Sequence, residues 1–524
     1  MGRQVIAFAI GPFLHNHEWL ILICCLGLGL YLLFRAQTPV GTAMRFAPDS
    51  GKPLGERYYI ESLPLDKVRT HSCSFVEFDG RGDYIDFSQH THAWHTVRDL
   101  ARSGRLLLVI YCHGWKNNSQ SSDVVRFVDF LGRLASSDAV SGYRVHGIFL
   151  GWQGNLYWPH FEKTDAFDRT TKNFGDSVVN PQWNRRFTWT AWVQENLSYW
   201  SRRNAAENKV SSVAMARTVY TCASLVKAIA RDHGDQPRDP LASRVMVMGH
   251  SFGALMLERA ISATCLDPLT KEWTWFAKSD SQPAGPPPNP NPLPLDFVFF
   301  VNSAAPSIYA KLMRDFLVAH ESALVKGNAD PAYAPTFVSL TSSADWATGF
   351  AHPAANIFCR FYPSLQRVYT QLLKLSTPCR VNQSWFYRRT PGHQPLLVDH
   401  WLKRRGPEDV EMDVTQVLER NLDYRTTQPL EFWAHLSGSG KRPLDSWELT
   451  RSPAPVDVRW ANKFGLLVPS RSSYWIIRCD KDVIRDHNDI WSDTALEVYA
   501  ALYRFVLWAQ VDSQSNQVLQ AYWK

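Results

Sequence analysis

A serine between two glycines stands at the end of one short apolar run of the chain. The motif Gly249-His250-Ser251-Phe252-Gly253 follows Arg244–Met248 and precedes Ala254–Glu258, whose composition favours a helix. A G-x-S-x-G sequence between a strand and a helix places the serine on a turn so tight that its flanking positions require glycine. The serine hydroxyl then lies beside a helix N-terminus, whose free amides favour negative charge. Ser251 is therefore the candidate nucleophile for acyl transfer.

A second motif, His113-Gly114-Trp115, follows the apolar run Leu106–Cys112. The tetrahedral intermediate of acyl transfer needs two N–H donors, one after the nucleophile and one from the loop after an earlier strand. The backbone N–H groups of Phe252 and Trp115 occupy these two positions in the sequence. An ordinary turn at the end of a strand is the alternative interpretation of His113-Gly114.

An aspartate and a histidine follow two later apolar runs. Asp345 lies just beyond Thr336–Leu340, and His487 lies between Tyr474–Cys479 and a final helical pattern. Histidine has a pKa near working pH, and a carboxylate holds its tautomer and stabilises the imidazolium. Asp345 and His487 are therefore candidates for the acid and the base that would act with Ser251. Four other carboxylates remain candidates for the acid and two other histidines for the base: Asp480, Asp482, Asp486, Asp489, His352 and His400.

The elements that must position these side chains are short runs rich in Val, Ile, Leu and Phe, as expected of strands buried on both faces of a parallel sheet. Two further runs are Val145–Leu150 and Asp296–Val301, and an apolar stripe from Val213 to Ala230 predicts a helix. Cys73–Phe78 and Tyr84–Phe87 are predicted to form a hairpin. The alternation predicts an α/β fold, a mostly parallel sheet with helices on both faces.

The elbow Gly249-His250-Ser251-Phe252-Gly253 and the loop His113-Gly114-Trp115 resemble the corresponding motifs of the α/β-hydrolase superfamily. The resemblance extends over roughly residues 70–510 and identifies no subfamily. It implies a triad in the chain order serine, acid, histidine, with the acid after a late strand and the histidine after the last one. Ser251, Asp345 and His487 fill these positions and form the predicted triad. Members cleave esters, thioesters, amides and epoxides, so the resemblance implies a mechanism more than a substrate. The expected activity is that of a serine hydrolase, similar to carboxylesterases and lipases.

The N-terminus carries an uninterrupted apolar run, Trp19–Phe34, closed by Arg35. The run is slightly shorter than the about 17–25 residues of a typical span, but Val5–Leu14 precedes it. We expect residues 1–35 to form a retained single-pass membrane anchor, with a signal peptide or a buried helix as alternatives. Basic residues after the run place the larger domain on the cytoplasmic side. Residues 36–70 are a predicted linker, and 511–524 a C-terminal tail.

Three insertions interrupt the predicted domain over 71–510. In the first, 153–207, aromatic residues make up 11 of the 44 positions from Tyr157 to Trp200, which predicts a lid over an apolar acyl or lipid-like ester substrate. Ordinary packing of the insertion is the alternative. The second, about 267–295, is proline-rich, and the third, 350–470, is long and mixed.

Composition narrows the classes of partner. The 56 Lys+Arg and 49 Asp+Glu give a net charge of +7 without long runs of like charge, so no nucleic-acid groove is indicated. The 9 cysteines show no metal-type spacing, so we expect neither a metal nor an organic cofactor. A non-catalytic scaffold of the same fold, binding a protein partner at the membrane, is the rival function. The complete Ser/Asp/His set argues against it.

Overall fold

A single sheet of 11 strands organises the part of the chain that the structure, a computed structural model, describes. This part comprises residues 59–61, 71–154, 199–233, 242–266, 294–324, 335–354, 383–404, 429–430, 447–451 and 474–511, with short gaps at 120, 137–139, 141 and 212. The strands are β1 (Tyr59–Glu61), β2 (His71–Phe78), β3 (Leu106–Cys112), β4 (Arg144–Trp152), β5 (Arg244–His250), β6 (Phe297–Val301), β7 (Phe337–Ser342), β8 (His400–Arg404), β9 (Pro429–Leu430), β10 (Trp447–Arg451) and β11 (Tyr474–Cys479).

Eight of these strands are parallel, in the order β2-β4-β3-β5-β6-β7-β11-β8. Strand β1 lies antiparallel against β2 at one side, and β10 and β9 extend the other side antiparallel to β8. All eight parallel strands therefore end at the same edge of the sheet, which we call the carboxyl edge. The opposite edge, where they begin, is the amino edge.

Helices cover both faces of the sheet, as the sequence predicts. They are α1 (Phe87–Arg102), α2 (Ser122–Ser136), α3 (Val213–Asp232), α4 (Phe252–Leu266), α5 (Ser307–Leu324), α6 (Gln383–Arg388) and α7 (Asp493–Val511). Successive strand residues point to opposite faces. In β3, Leu107, Val109 and Tyr111 pack in the cluster with α2 and α7, whereas the alternate residues pack in the cluster with α1, α3, α4 and α5.

The predicted hairpin between Cys73–Phe78 and Tyr84–Phe87 is wrong. Tyr84 makes one isolated bridge to Phe78, and Phe87 is the first residue of α1. The carboxylate of Asp86 accepts a hydrogen bond of 2.8 Å from the N–H of Ser88 and caps this helix. β2 instead takes its long partner from β4, with eight residues in parallel register. Because Asp86 caps the helix that begins at Phe87, the run Tyr84–Phe87 does not form the second strand of a hairpin.

Residues in the predicted insertion 350–470 contribute to the sheet. β8 pairs in parallel with β11, and β10 and β9 follow it outward. The strand that precedes His487 therefore lies inside the sheet, with β7 on one side and β8 on the other.

One helix of the described residues, α3, is long and apolar enough to cross a membrane by length and composition. More than half of its apolar stretch is buried, and its residues Val219, Ala223 and Val226 pack in the core against the sheet. The helix therefore has the burial of a core element. The predicted anchor Trp19–Phe34, most of the aromatic and proline-rich insertions and the tail beyond Val511 lie outside the described residues.

Candidate active site

The structure brings Ser251, His487 and Asp345 into one hydrogen-bonded chain. The Oγ atom of Ser251 lies 2.8 Å from Nε2 of His487. The other ring nitrogen, Nδ1, lies 2.9 and 3.0 Å from the two carboxylate oxygens of Asp345. Because both oxygens are acceptors, Nδ1 carries the proton, which leaves Nε2 free to accept the proton of Ser251. The three residues follow β5, β11 and β7 at the carboxyl edge.

Ser251 stands on a strained turn between β5 and α4. Its φ is +54°, in the left-handed region that residues other than glycine rarely adopt. Its N–H donates to the carbonyl of Val301, and its own carbonyl accepts from Ala304, both at 3.1 Å, so the neighbouring strand fixes the turn. A Cβ at Gly253 would lie 2.1 Å from the carbonyl oxygen of Cys112, so only glycine fits there. The elbow predicted from the sequence is present.

The loop after β3 presses directly on this turn. A Cβ at Gly114 would lie 3.0 Å from Cβ of Ser251 and 2.9 Å from Nδ1 of His250. Trp115 follows Gly114 at the same edge. Phe252 is the first residue of α4, so its N–H has no acceptor within the helix. The backbone N–H groups of Trp115 and Phe252 remain the candidate oxyanion donors.

His113 fixes the position of this loop. Its Nδ1 donates to the carbonyl of Gly114 at 2.9 Å, and its Nε2 accepts from the backbone N–H of Trp152 at 3.1 Å. The indole N–H of Trp152 donates back to the carbonyl of His113 at 3.0 Å. Both ring nitrogens are engaged only when the ring is neutral, and burial lowers the pKa of His113 to about 4. His113 thus acts as a strut between the ends of β3 and β4.

Asp345 is held as an anion although its side chain is fully buried. Burial alone would raise its pKa, but the neighbouring His487, together with hydrogen bonds from His487 and from Thr348, lowers that pKa to about 2. Thr348 donates both its N–H, at 3.0 Å, and its hydroxyl to the carboxylate. It lies in the π-helical turn Ala347–Ala351, directly after the acid.

The backbone carbonyl of His487 is clamped by two side chains. His250 donates from Nε2 at 2.8 Å, and the amide of Asn302 donates at 3.1 Å. The amide oxygen of Asn302 accepts from the N–H of Ser342, three residues before the acid, at 2.9 Å. Asn302 follows β6 with a φ of +46°. The side chain of Asn302 therefore links the loop that carries His487 to β7, the strand that precedes Asp345.

A second tether holds the other end of the histidine loop. Asp123, in the first turn of α2, accepts from the indole N–H of Trp491 and from the hydroxyl of Tyr111, each at 2.7 Å. Burial raises the pKa of this carboxyl, and the two hydrogen bonds oppose that rise. Sequence analysis missed both Asn302 and Asp123. The available signal was position, because Asn302 directly follows a predicted strand.

Three aromatic rings stand together beside the elbow. The ring centroids of Trp115 and Tyr199 are 5.5 Å apart, those of Tyr199 and Phe252 5.4 Å, and those of Trp115 and Phe252 6.2 Å. Phe252 is buried, whereas Trp115 and Tyr199 are partly exposed. The described end of the aromatic insertion therefore brings one ring, Tyr199, to the candidate oxyanion donors.

The rival acids and bases have other partners. Asp486 caps the turn at Asn488 and Asp489, and Asp489 pairs with Arg485 at 2.9 Å. Asp480 and Asp482 stand at the partly exposed and exposed start of the histidine loop. His400 is buried in β8 against Trp475, and Nδ1 of His352 lies 3.3 Å from the hydroxyl of Tyr199. In the structure it is Asp345 that contacts the ring of His487.

A buried carboxyl lies behind the elbow. Glu258, two turns into α4, accepts hydrogen bonds from the hydroxyl of Tyr474 at 2.7 Å and of Ser303 at 3.3 Å. Burial raises its pKa to about 7. Tyr474 begins β11 and Ser303 follows β6, so Glu258 links the two edges of the sheet beneath the site.

Within the described ranges, no three His, Cys, Asp or Glu side chains form a group that could hold a metal ion. Cys73, Cys112, Cys222 and Cys479 are buried free thiols. The hydrogen-bonded arrangement of Ser251, His487 and Asp345 supports nucleophilic catalysis by an activated serine.

Comparison with known proteins adds no relative to this picture. No family model matches the chain, and neither a curated protein nor a solved structure matches it significantly. The fold class and the geometry at the carboxyl edge are therefore the grounds on which its function is argued.

Proposed function

We propose that this chain is a serine hydrolase of the α/β-hydrolase fold, anchored in a membrane by Trp19–Phe34, that cleaves carboxylic esters with an apolar acyl group. The observation that carries the proposal is the continuous chain of hydrogen bonds from Ser251 through His487 to Asp345. The nucleophile on a strand-turn-helix elbow and the chain order serine, acid, histidine support the same fold.

In the proposed reaction, His487 removes the proton of Ser251 as its Oγ attacks the carbonyl carbon of the ester. The oxyanion receives hydrogen bonds from the N–H groups of Phe252 and Trp115. The intermediate collapses to the acyl-enzyme, and the alcohol leaves with the proton from His487. Water then attacks the acyl carbon, gives its proton to His487, and the acid is released as Ser251 is reprotonated.

The residues around the triad favour this chemistry. The anionic Asp345 stabilises the imidazolium that forms on His487. The strut of His113 holds the oxyanion loop before any substrate binds, so little reorganisation is needed during the reaction. Neither step needs a metal or an organic cofactor.

An apolar acyl group fits the rings next to Ser251. Trp115 and Tyr199 offer large, partly exposed aromatic surfaces beside the candidate oxyanion donors. Each methylene that such a surface buries contributes about 0.8 kcal/mol, so longer acyl chains should be favoured over acetate. The proposed anchor would hold the enzyme, on the cytoplasmic side, near membrane-borne esters.

Labelling by a fluorophosphonate tests the proposal, because the probe reacts with an activated serine. The wild-type chain should be labelled and should hydrolyse an octanoyl ester, whereas Ser251→Ala should lose labelling and lose on the order of 10⁶ in kcat. Ser103→Ala, at an exposed serine that follows α1, is the matched control for labelling. A folded wild-type chain that is not labelled would instead favour the non-catalytic scaffold.

A further inference from the structure

Four large apolar side chains are exposed among the residues whose side-chain burial the structure describes. The exposed fractions are 53% for Phe87, 63% for Val213, 67% for Trp346 and 62% for Phe350. Every one of them lies at the carboxyl edge. Phe87 begins the helix after β2, Val213 begins the helix that leads back to the start of β5, and Trp346 and Phe350 follow β7. The edge that carries the triad is therefore also where the exposed apolar side chains collect.

These side chains form two pairs. The rings of Trp346 and Phe350 are stacked, with centroids 5.8 Å apart and planes inclined by 28°. Tyr84 joins the other pair, because its ring packs on Phe87 at 5.3 Å and its hydroxyl donates to the carbonyl of Ala214, next to Val213, at 2.8 Å.

The two pairs flank the nucleophile. In the strand order, β2 lies three places from β5 on one side, and β7 lies two places from β5 on the other. Neighbouring strands are about 4.8 Å apart, so the strands that lead to the two pairs stand about 14 and 10 Å from that of Ser251. A flat apolar surface that touched both pairs would lie across the strand ends between them, including the end of β5, which Ser251 follows.

The direction of β1 shows from which side the chain enters this strand. Tyr59 pairs with Ser74 and Glu61 with Ser72, so β1 runs from the middle of β2 toward the amino edge. The chain therefore enters β1 from the side of the carboxyl edge. The apolar run Trp19–Phe34 ends 25 positions before Tyr59.

The exposed charges of this edge are mixed. Lys481 and Arg485 stand beside Asp482 and Asp486 in the histidine loop, and Arg485 is paired with Asp489. Among the residues that the structure describes, this loop therefore carries no basic cluster of the kind that binds anionic lipids. Tryptophan and phenylalanine rest well at the level of lipid headgroups. The chemistry of the edge thus fits an uncharged lipid surface.

We propose that the carboxyl edge docks on the surface of a zwitterionic lipid bilayer, with Trp346 and Phe350 on one side of Ser251 and Phe87 and Val213 on the other. The inference rests on the proposed anchor, which would keep the chain at the bilayer. The pair Trp346 and Phe350 and the pair Phe87 and Val213 would then set the orientation of the sheet relative to the bilayer. An ester substrate would then reach Ser251 from the lipid phase and not from bulk water.

Depth-dependent quenching tests the orientation without any need for catalysis. The full chain, with a fluorescent amino acid encoded at position 350, 213 or 102, is bound to phosphatidylcholine vesicles that carry spin labels on their acyl chains. Arg102 is the control, because it is exposed at the C-terminal end of α1, at the amino edge. Quenching at 350 and 213 with none at 102 is expected. Equal quenching at all three positions, or none while the chain stays bound, would overturn the docking, as would a failure to bind vesicles.

Kinetics provide a second measurement. Phe87→Ser and Val213→Ser, which lie away from the triad, should leave hydrolysis of a dissolved short-chain ester unchanged. Their rate on the same ester class embedded in vesicles should fall by about tenfold each, while Arg102→Ser should not change it. Equal rates for all variants on vesicles would contradict the proposal. If the chain is not labelled by the fluorophosphonate but shows the expected quenching pattern, the proposed hydrolase function is wrong and the proposed docking on the bilayer stands.

Discussion

The two edges of the parallel sheet are built from different kinds of residue. In the part of the chain that the structure describes, the three non-glycine residues with positive φ, Lys116, Ser251 and Asn302, follow β3, β5 and β6 at the carboxyl edge. At the amino edge the positive φ angles before β3 and β4 belong to Gly104 and Gly142, where a Cβ would meet nothing within 4 Å.

The polar groups differ in the same way. At the carboxyl edge, Ser251, His487 and Asp345 form an array through which a proton can move. At the amino edge, Asp296 forms a fixed ion cluster, at 2.6 Å from Nζ of Lys227 and 3.1 Å from Nη1 of Arg244. Strained backbone and groups that can exchange a proton thus lie at the carboxyl edge, whereas the ion cluster at the amino edge stabilises the fold. Substitutions at the carboxyl edge should therefore lower kcat more than stability, and substitutions at the amino edge should lower stability more than kcat.

After Ser251→Ala, the largest effect on kcat is expected from substitution of Asp345, the candidate acid. Asp345→Asn should lower kcat by about 10⁴, because His487 would lose its orienting anion and hold the wrong tautomer. The temperature of unfolding at neutral pH should change far less than the rate, since the amide fits the same site. Steady-state kinetics on the purified full-length variant, with calorimetry, measure both. Near-normal kcat in this variant together with a large loss in Asp482→Asn would reassign the acid.

The amino edge should show the reverse. Asp296→Asn leaves Lys227 and the buried Arg244 without their anion, and breaking a buried pair of this kind costs about 3–5 kcal/mol in the free energy of unfolding. Denaturant titration measures the loss, and kcat of the folded variant should stay unchanged. Asp99→Asn, which breaks the exposed pair with Arg98, is the control and should cost under about 1 kcal/mol. A tenfold drop in kcat for Asp296→Asn would contradict the division between the edges.

Glu258, which links the two edges, should make stability depend on pH. Its folded pKa of about 7 lies above the ordinary value of 4.5, so its favourable contribution is fully present below about pH 4.5 and is lost as the pH rises through 7. The free energy of unfolding should fall by about 3 kcal/mol over this interval. Glu258→Gln should flatten that part of the profile. An unchanged profile in this variant would assign the pH dependence to another group.

The smallest expected effect concerns the clamp on His487. Asn302→Gly tolerates the positive φ but removes the bonds to His487 and Ser342, and a slight displacement of the base should lower kcat by about 10². KM should not change, because the side chain of Asn302 is fully buried. Asn302→Asp keeps an acceptor for Ser342 and should show whether the amide donor is essential. Full activity in Asn302→Gly would show that His250 alone holds the loop.

Much of the site was predictable because its residues directly follow strands that are visible as apolar runs. Leu106–Cys112 and Tyr474–Cys479 have the predicted bounds, and Ser251 and His487 stand after strands where the sequence places them. The role of Asn302 was not predictable in this way. It depends on β6 lying next to β7 and within reach of the loop after β11, and strand order is not encoded in local periodicity.

The sequence patterns mispredict two elements, for opposite reasons. β8 (His400–Arg404) has too few apolar residues to be recognised as a strand, although it pairs with β11. The run Tyr84–Phe87 has enough apolar residues, but the cap at Asp86 turns it into the start of a helix. Local composition thus fails where pairing or capping decides the structure.

The position of β11 between β7 and β8 also bears on how the chain is made. Both neighbours precede β11 in the sequence, so during synthesis each has an unpaired edge facing the place that β11 will fill. Insertion of this last strand closes both edges and delivers His487 in the same event. We therefore expect that a nascent chain lacks the candidate base until the segment after β11 emerges from the ribosome, and that the unpaired edges of β7 and β8 need protection from aggregation during this interval.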